Sequence, residues 1–429
     1  MKIFNVLMIE ILFFTTLFAE DLEFKINSIK TEKMPFVIGI VDKETDDILF
    51  VANRLKDDLE FSGQFLVDIK NFSQLKKKSD LADQIDEKTA LGVFLTDNGD
   101  SVGFRLYDLF SFSMLDGKNY KKNDSGASWW AHNIADKIWP LLTGQDGFFS
   151  SKIAFCRTIW GGKRGSEKII YIADYDGKDP KELVKNGSVN LAPRWNCGSQ
   201  SPILFYSECA PANMRLIATN MRGKKKVVSN FEGLNMLPSC SPDGKKVVVC
   251  LSFSGSSQLY SYHFDAKRNK NVYVRLTNND GNNVSPILLA NGDVIFCSDF
   301  ESKSPRIYQY SASNKSLEQI TSSGYCAAPS YSEKANKLAY SRMEKGIMQI
   351  FIYDFKTKVH KQLTFDNAQK EEASWSPCGN YLLFSVESES NTRLAYLNLL
   401  TNQIKMVGGP KSNISYPSWS PIYSEFPAI

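Results

Sequence analysis

Side chains able to ionise, attack or ligate are thinly spread in this chain. The histidines are His132, His263 and His360, far apart in sequence, so imidazole catalysis or metal ligation has few residues to draw on. A serine nucleophile of the hydrolase kind needs GxSxG on a strand-to-helix turn. Gly255-Ser256-Ser257 lacks the second glycine, and nine residues follow the last Trp-Ser pair, so no hydrolase domain is expected after it. Gly161-Gly162-Lys163-Arg164-Gly165-Ser166 lacks the GxxxxGK[ST] spacing of a phosphate loop and reads as a solvated hairpin between Cys156 and Ile169. Asp243, Asp293 and Asp366 each fall in a turn, where a carboxylate bonds local N–H groups instead of a metal. Lys76-Lys77-Lys78, flanked by Asp80, Asp83, Asp86 and Glu87, reads as a solvated helix face. No catalytic residue, no metal site and no cofactor is expected.

The eight cysteines all follow residue 155 and form no CxxC pair; Cys156, Cys250 and Cys297 end apolar strand-like runs, where a thiol packs as a small hydrophobe. Disulfides stay possible in an oxidising compartment, with no pairing readable from spacing. Lys plus Arg is 51 against 47 for Asp plus Glu, a balance that gives nucleic-acid binding no electrostatic basis. With 43% hydrophobic residues over 429 positions, packed domains are expected throughout.

The elements that must position any site begin after residue 19. Lys2, an apolar stretch including Ile11 to Phe18, and Ala19 before Glu20-Asp21 have the form of a cleaved export signal over 1–19, although Glu10 sits inside the apolar region. The alternative is a retained apolar segment too short for a span of about 20 residues. The mature chain is expected to be soluble. In Glu20 to Ile26, Leu22, Phe24 and Ile26 alternate with Glu23 and Lys25 in the period of a strand.

Residues 36–145 read as an α/β domain. Phe36 to Val41 is a strand; Ile48, Leu49, Val51, Ala52, Leu55 and Leu59 recur at helical spacing; Phe65 to Ile69 and Ala90 to Thr96 are further strands. Asn98-Gly99-Asp100 turns the last of these back into Ser101 to Leu109. A helix over Ser128 to Leu142 closes the domain, with Gly144-Gln145-Asp146-Gly147 as linker.

From 146 to 429 one unit repeats. Anchors at Pro193, Pro238, Pro286, Pro329, Ala373 and Pro417 stand 45, 48, 43, 44 and 44 residues apart. The first five are followed by a hairpin turn such as Pro242-Asp243-Gly244 and then by three more short strands, the signature of a propeller blade. The strand set at 153–184 has no anchor before it and Pro417 has no set after it, so Ile414 to Ser420 should supply the innermost strand of the first blade. This predicts a six-bladed β-propeller behind an N-terminal α/β domain, closed by its C-terminal strand.

Three stretches then carry a resemblance: Ala131-His132-Asn133-Ile134-Ala135-Asp136; Leu142-Thr143-Gly144 with Phe148-Phe149-Ser150-Ser151-Lys152-Ile153-Ala154; and Asp174-Tyr175-Asp176-Gly177. With the order of parts, they resemble the TolB family of periplasmic Tol–Pal envelope components, over almost the whole chain. Ile287-Leu288-Leu289 and Ser332-Glu333-Lys334 depart from that family's usual WSPDG. The resemblance implies a non-enzymatic periplasmic scaffold supporting envelope integrity and constriction at division, expected as a monomer. It also implies two protein partners. The inner-membrane-anchored TolA would be met by the N-terminal segment 20–35, through Asp21, Leu22, Glu23, Phe24, Lys25 and Ile26. The peptidoglycan-associated lipoprotein Pal would be met at one mouth of the propeller.

A mouth is a good docking surface because loops from several blades converge there on a fixed scaffold. The candidates lie just ahead of the anchors: Leu191, Leu234, Leu237, Val284 and Ala327, with Lys370 and Glu371 adding charge. Matching the family's loops singles out Leu234, Leu237 and Val284 for the lipoprotein; the competing reading is that these side chains plug the channel. Two alternative functions remain: a propeller holding a glycan or other small ligand in its channel, and an inactive relative of propeller peptidases.

Overall fold

The computed structural model describes residues 32–429 except 82–83, 123–125, 163–164, 198–200, 245, 266, 269, 389–390, 410–411, 425 and 428–429. The expected export signal and the segment Asp21 to Ile26 lie outside the described residues. In the first part, strands β1 (Met34–Val41), β2 (Phe65–Phe72), β3 (Leu91–Asp97), β4 (Ser101–Asp108) and β5 (Ser113–Lys121) form one sheet in the order β2-β1-β3-β4-β5. β1 runs parallel to both its neighbours, and β3, β4 and β5 are antiparallel. Helix α1 (Asp46–Phe61) starts where the Thr45 side chain accepts the Ile48 N–H, with Asp46 and Asp47 in the first turn. It buries Ile48, Val51, Ala52, Leu55 and Leu59 against α2 (Gly126–Thr143) and the sheet. β5 was not expected: it is an edge strand, exposed along most of its length, so it lacks the alternation that marks a half-buried strand. Lys76 and Lys77 lie on a turn whose N–H groups bond Asp80, ahead of one 3-10 turn at Lys78–Leu81, and not on a helix face.

The second part is six four-stranded sheets. The innermost strands, taken from blade one to blade six, are Ile414–Trp419, Asn190–Trp195, Asn235–Cys240, Asn283–Leu288, Cys326–Ser332 and Gln369–Trp375. Blade one is completed by β6 (Lys152–Gly162), β7 (Gly165–Asp174) and β8 (Lys181–Val184). Ile414 pairs with Arg157 and Trp419 with Ile153, antiparallel, so the two ends of the repeat region share one sheet and no inner edge is left open.

One irregularity recurs in all six innermost strands. Each has a register shift, and the residue just before the anchor has positive φ: Ala192, Leu237, Ser285, Ala328, Glu372 and Tyr416, at 48 to 61°. This region disfavours side chains with a Cβ by roughly 1–2 kcal/mol, so six occurrences mark a bend that ring geometry requires. The bulge bends the inner strand and increases its local twist. Between blades, the Trp195 and Trp375 indoles donate to the carbonyls of Ser418 and Ser330, and Ser374 and Ser239 accept the N–H groups of Trp419 and Leu288. Within blades, Thr277, Thr321 and Thr364 each accept a strand N–H at 2.9 Å. No helix among the described residues is long and apolar enough to cross a membrane.

Removing 414–429 takes the partner from β6 and empties the site of the buried Trp419. The truncated protein should melt well below the full chain, with lower cooperativity or aggregation. Trp419→Ala alone should cost about 3–5 kcal/mol by denaturant titration; an unchanged melt of both would reject closure.

Candidate functional site

The ring has two unlike ends. The α/β part packs on the end formed by the turns that follow the innermost strands. There Asn380 donates to the Gln145 side chain at 2.8 Å, Asn398 to the Ser62 carbonyl at 3.0 Å and Lys334 to Asp146 at 2.5 Å. The innermost strands start at the other end, so the loops leading into them form a mouth facing away from the α/β part.

All seven sequence-derived mouth residues stand at this end. Leu191, Leu237, Val284 and Ala327 are half-buried, and Leu234 and Glu371 are exposed. Leu237 holds one of the positive-φ positions, so its side chain is placed by the bulge. Val284 also packs partly between blades. Lys370 is different: only 2% exposed, its ammonium bonds Asp366 and the Ala368 carbonyl. It pins its loop from inside, as the buried amides of Asn190, Asn235 and Asn283 pin theirs. The sequence reading missed the rim. Trp160, on the β6–β7 hairpin, is 72% exposed and Phe365, before the blade-six inner strand, is 75% exposed, with Phe253 and Tyr325 also exposed at this end. Large apolar side chains open to water at one face are the usual material of a docking surface.

Below the mouth, Arg194, Glu372 and Tyr416 occupy the innermost strands of blades two, six and one. Glu372 accepts the Tyr416 N–H at 3.0 Å and the Ser385 hydroxyl at 3.3 Å. Burial raises its pKa to about 7, against the attraction of Arg194, while the residue stays partly exposed.

At the opposite end a buried ionic knot joins the two parts. Arg54 and Asp58 lie one turn apart on α1, His132 on α2, and Asp174 and Asp176 where β7 ends. His132 meets Asp58 through Nδ1 at 2.8 Å and Asp174 through Nε2 at 3.1 Å. Arg54 donates to Asp174 at 2.6 Å and Asp176 at 2.9 Å, Lys152 pairs with Asp174, and the Tyr175 hydroxyl donates to Asp58 at 2.9 Å. Burial alone would lower the His132 pKa, but Asp58 and the hydrogen bonds to Asp174 and Asp58 outweigh it and push it to about 9. Burial likewise opposes ionisation of Asp174, but His132 and Lys152 hold it well below the usual carboxylate range. Around the knot Phe61 packs against Phe148, Tyr175, Tyr381 and Tyr396. Asp136 accepts the N–H groups of Phe149 and Ser150, close enough to the turn that a Cβ on Gly147 would lie 2.5 Å from its carboxylate. The three motifs quoted from the sequence thus meet at one seam. Arg54 and Asp58 went unremarked because an amphipathic helix gives no sign of which polar residues it buries.

Among the described residues no three His, Cys, Asp or Glu side chains are placed to hold a metal. The cysteines are all free, and burial pushes the thiols of Cys156, Cys240, Cys250 and Cys297 up to about 12, which suppresses the reactive thiolate.

The class this fold defines is a two-part β-propeller protein, six blades with an α/β part locked to one end and an open ring of loops at the other. Residues 139–423 match the TolB beta propeller domain, and the chain belongs to that family. A Tol-Pal system protein TolB from Desulfosudis oleivorans is 29% identical over 264 residues, 57% of this chain and 58% of that protein; the match thus spans under two thirds of this relative. TolB from Francisella tularensis is 26% identical over 307 residues, 68% of each chain. The crystal structure of TolB from Acinetobacter baumannii superposes with a TM-score of 0.75 over 91% of this chain and 98% of that one, at 22% identity.

The knot gives a pH signature. His132 has an ordinary value of 6.5 and a folded value of about 9, so its stabilisation is complete below pH 6.5 and is lost as pH rises through 9. That contribution is on the order of 3 kcal/mol. Asp174 acts in the other direction, supplying stability above about pH 4 that disappears only in strong acid. Thermal melts should fall between pH 7 and 10 for the wild type and start lower but run flatter for His132→Gln; parallel curves would remove His132 from the knot.

Proposed function

We propose that the chain is a non-enzymatic periplasmic scaffold of the Tol–Pal system. It docks the peptidoglycan-associated lipoprotein Pal on the propeller mouth and inner-membrane-anchored TolA through the segment Asp21 to Ile26, and it supports outer-membrane integrity and constriction at division. The observation that carries the reading is the mouth itself: loops of the six-bladed ring, turned away from the α/β part, holding exposed apolar side chains on rigid strands. A partner covering that surface removes apolar area from water without having to order the loops, which keeps the entropic cost of binding low. TolA recognition by an alternating strand such as Leu22, Phe24 and Ile26 would use strand addition, with backbone bonds for affinity and one row of side chains for register.

Two measurements test it. Leu237→Asp with Val284→Asp puts charges into a surface that must lose water, so titration calorimetry with the soluble part of Pal should show a loss of about 3 kcal/mol or more. Retained affinity with an intact melt would take these residues out of the site. Removing residues 20–26 should abolish TolA binding while leaving the propeller melt and Pal binding intact; full TolA binding by the truncated chain would sink that half of the reading.

A further inference from the structure

Blades two and one each carry a cation below the mouth that no carboxylate pairs with among the described residues, Arg194 and Lys168. Arg194, on the Asn190–Trp195 strand, spends one N–H on the Pro193 carbonyl at 2.9 Å and makes no ion pair among the described residues. Lys168, on β7, lies 4.7 Å from the centre of the Tyr416 ring and 3.4 Å from the Ser415 hydroxyl, and it too makes no ion pair among the described residues. Through Tyr416, whose ring faces Lys168 and whose N–H bonds Glu372, Lys168 and Glu372 meet beside the innermost strand of blade one, next to the blade-two strand that carries Arg194. Glu372 is the natural counter-ion, yet its carboxylate is held by the Tyr416 N–H and the Ser385 hydroxyl and does not come within 4.0 Å of the guanidinium.

We propose that Arg194 and Lys168 form a subsite in the throat that takes a carboxylate side chain, Asp or Glu, of the protein docked on the mouth. This rests on the mouth being the docking surface for the lipoprotein. A guanidinium taken partly out of water without a partner is costly, and it is relieved by an acceptor that matches its planar fork. Desolvation by the channel wall already lowers the Arg194 pKa in spite of Glu372, which shows how poorly the free protein compensates this charge. The occupant is a side chain of the docked protein because Arg194 shares its strand with Leu191, three residues nearer the rim. A partner loop seated on the apolar rim is thereby aimed at the cation below. Apolar contact supplies area, and the buried carboxylate sets register and rejects loops that lack it.

The test is calorimetry of the full mature chain with the soluble part of the lipoprotein at several salt concentrations. Arg194→Gln should weaken binding at least tenfold and flatten the salt dependence; Arg194→Lys should recover part of the loss, and Lys168→Gln should weaken binding two- to fivefold. Replacing the complementary Asp or Glu of the lipoprotein should weaken binding to the wild type but not to Arg194→Gln. Binding of Arg194→Gln within twofold of wild type, with an intact melt, overturns the subsite. If that variant does not fold, unchanged binding by both Arg194→Lys and Lys168→Gln does so instead. Absence of binding by the wild type overturns the docking assignment itself, and the subsite with it.

Discussion

A ring of sheets has no natural end, and the pairing of Ile414–Trp419 with β6 is the contact through which this one closes. Because that strand is the innermost member of blade one, what it carries is felt at both ends of the channel. Toward the mouth, Tyr416 donates its N–H to Glu372 and places its ring beside Lys168. Toward the α/β part, Trp419 enters the aromatic seam with Tyr381 and Tyr396 and donates to Ser151. Closure therefore holds the geometry of the throat and the seat of the α/β part through one strand, as well as stabilising the ring.

The α/β part is not a loosely tethered neighbour. The described residues fall into one compact unit, and a single apolar core runs from α1 and α2 through Phe148 and Phe149 into the blades that carry Tyr381, Tyr396 and Trp419. The ionic knot lies in that core. Charges so buried are expensive, and their stabilising value depends on each finding its partners; Asp174, which takes bonds from Arg54, His132 and Lys152, is the acceptor on which the others converge. Separating the two parts would strand several ions in an apolar setting, so the junction favours rigid-body unity over hinge motion.

The mouth works by a different physics. Its side chains are held by bulged strands whose strain is fixed by the fold, and its loops are pinned from inside by Asn190, Asn235, Asn283 and Lys370. The surface is thus preformed, and under the proposed docking role a partner would bring complementarity: apolar groups for Trp160, Phe365 and Leu234, and in the throat a negative charge.

Sequence alone determined the elements that depend on periodicity. The 44-residue repeat, the unpaired first and last strand sets, the amphipathic stripe of α1 and the Asn98-Gly99-Asp100 turn are local patterns, because each strand or helix must bury its own apolar face within a few residues of chain. It also placed the mouth residues at one end of the ring, since the anchors fix where every inner strand begins. The edge strand β5 was invisible, because a strand exposed on both sides carries no alternation. The inward turn of Lys370, the outward turn of Trp160 and Phe365, and the meeting of Arg54 and Asp58 with His132 and Asp174 were decided only by tertiary structure. A lysine or tryptophan reads the same whether its loop folds over it or away from it, and charges 120 residues apart in sequence acquire their partners only when two parts of the chain share a core.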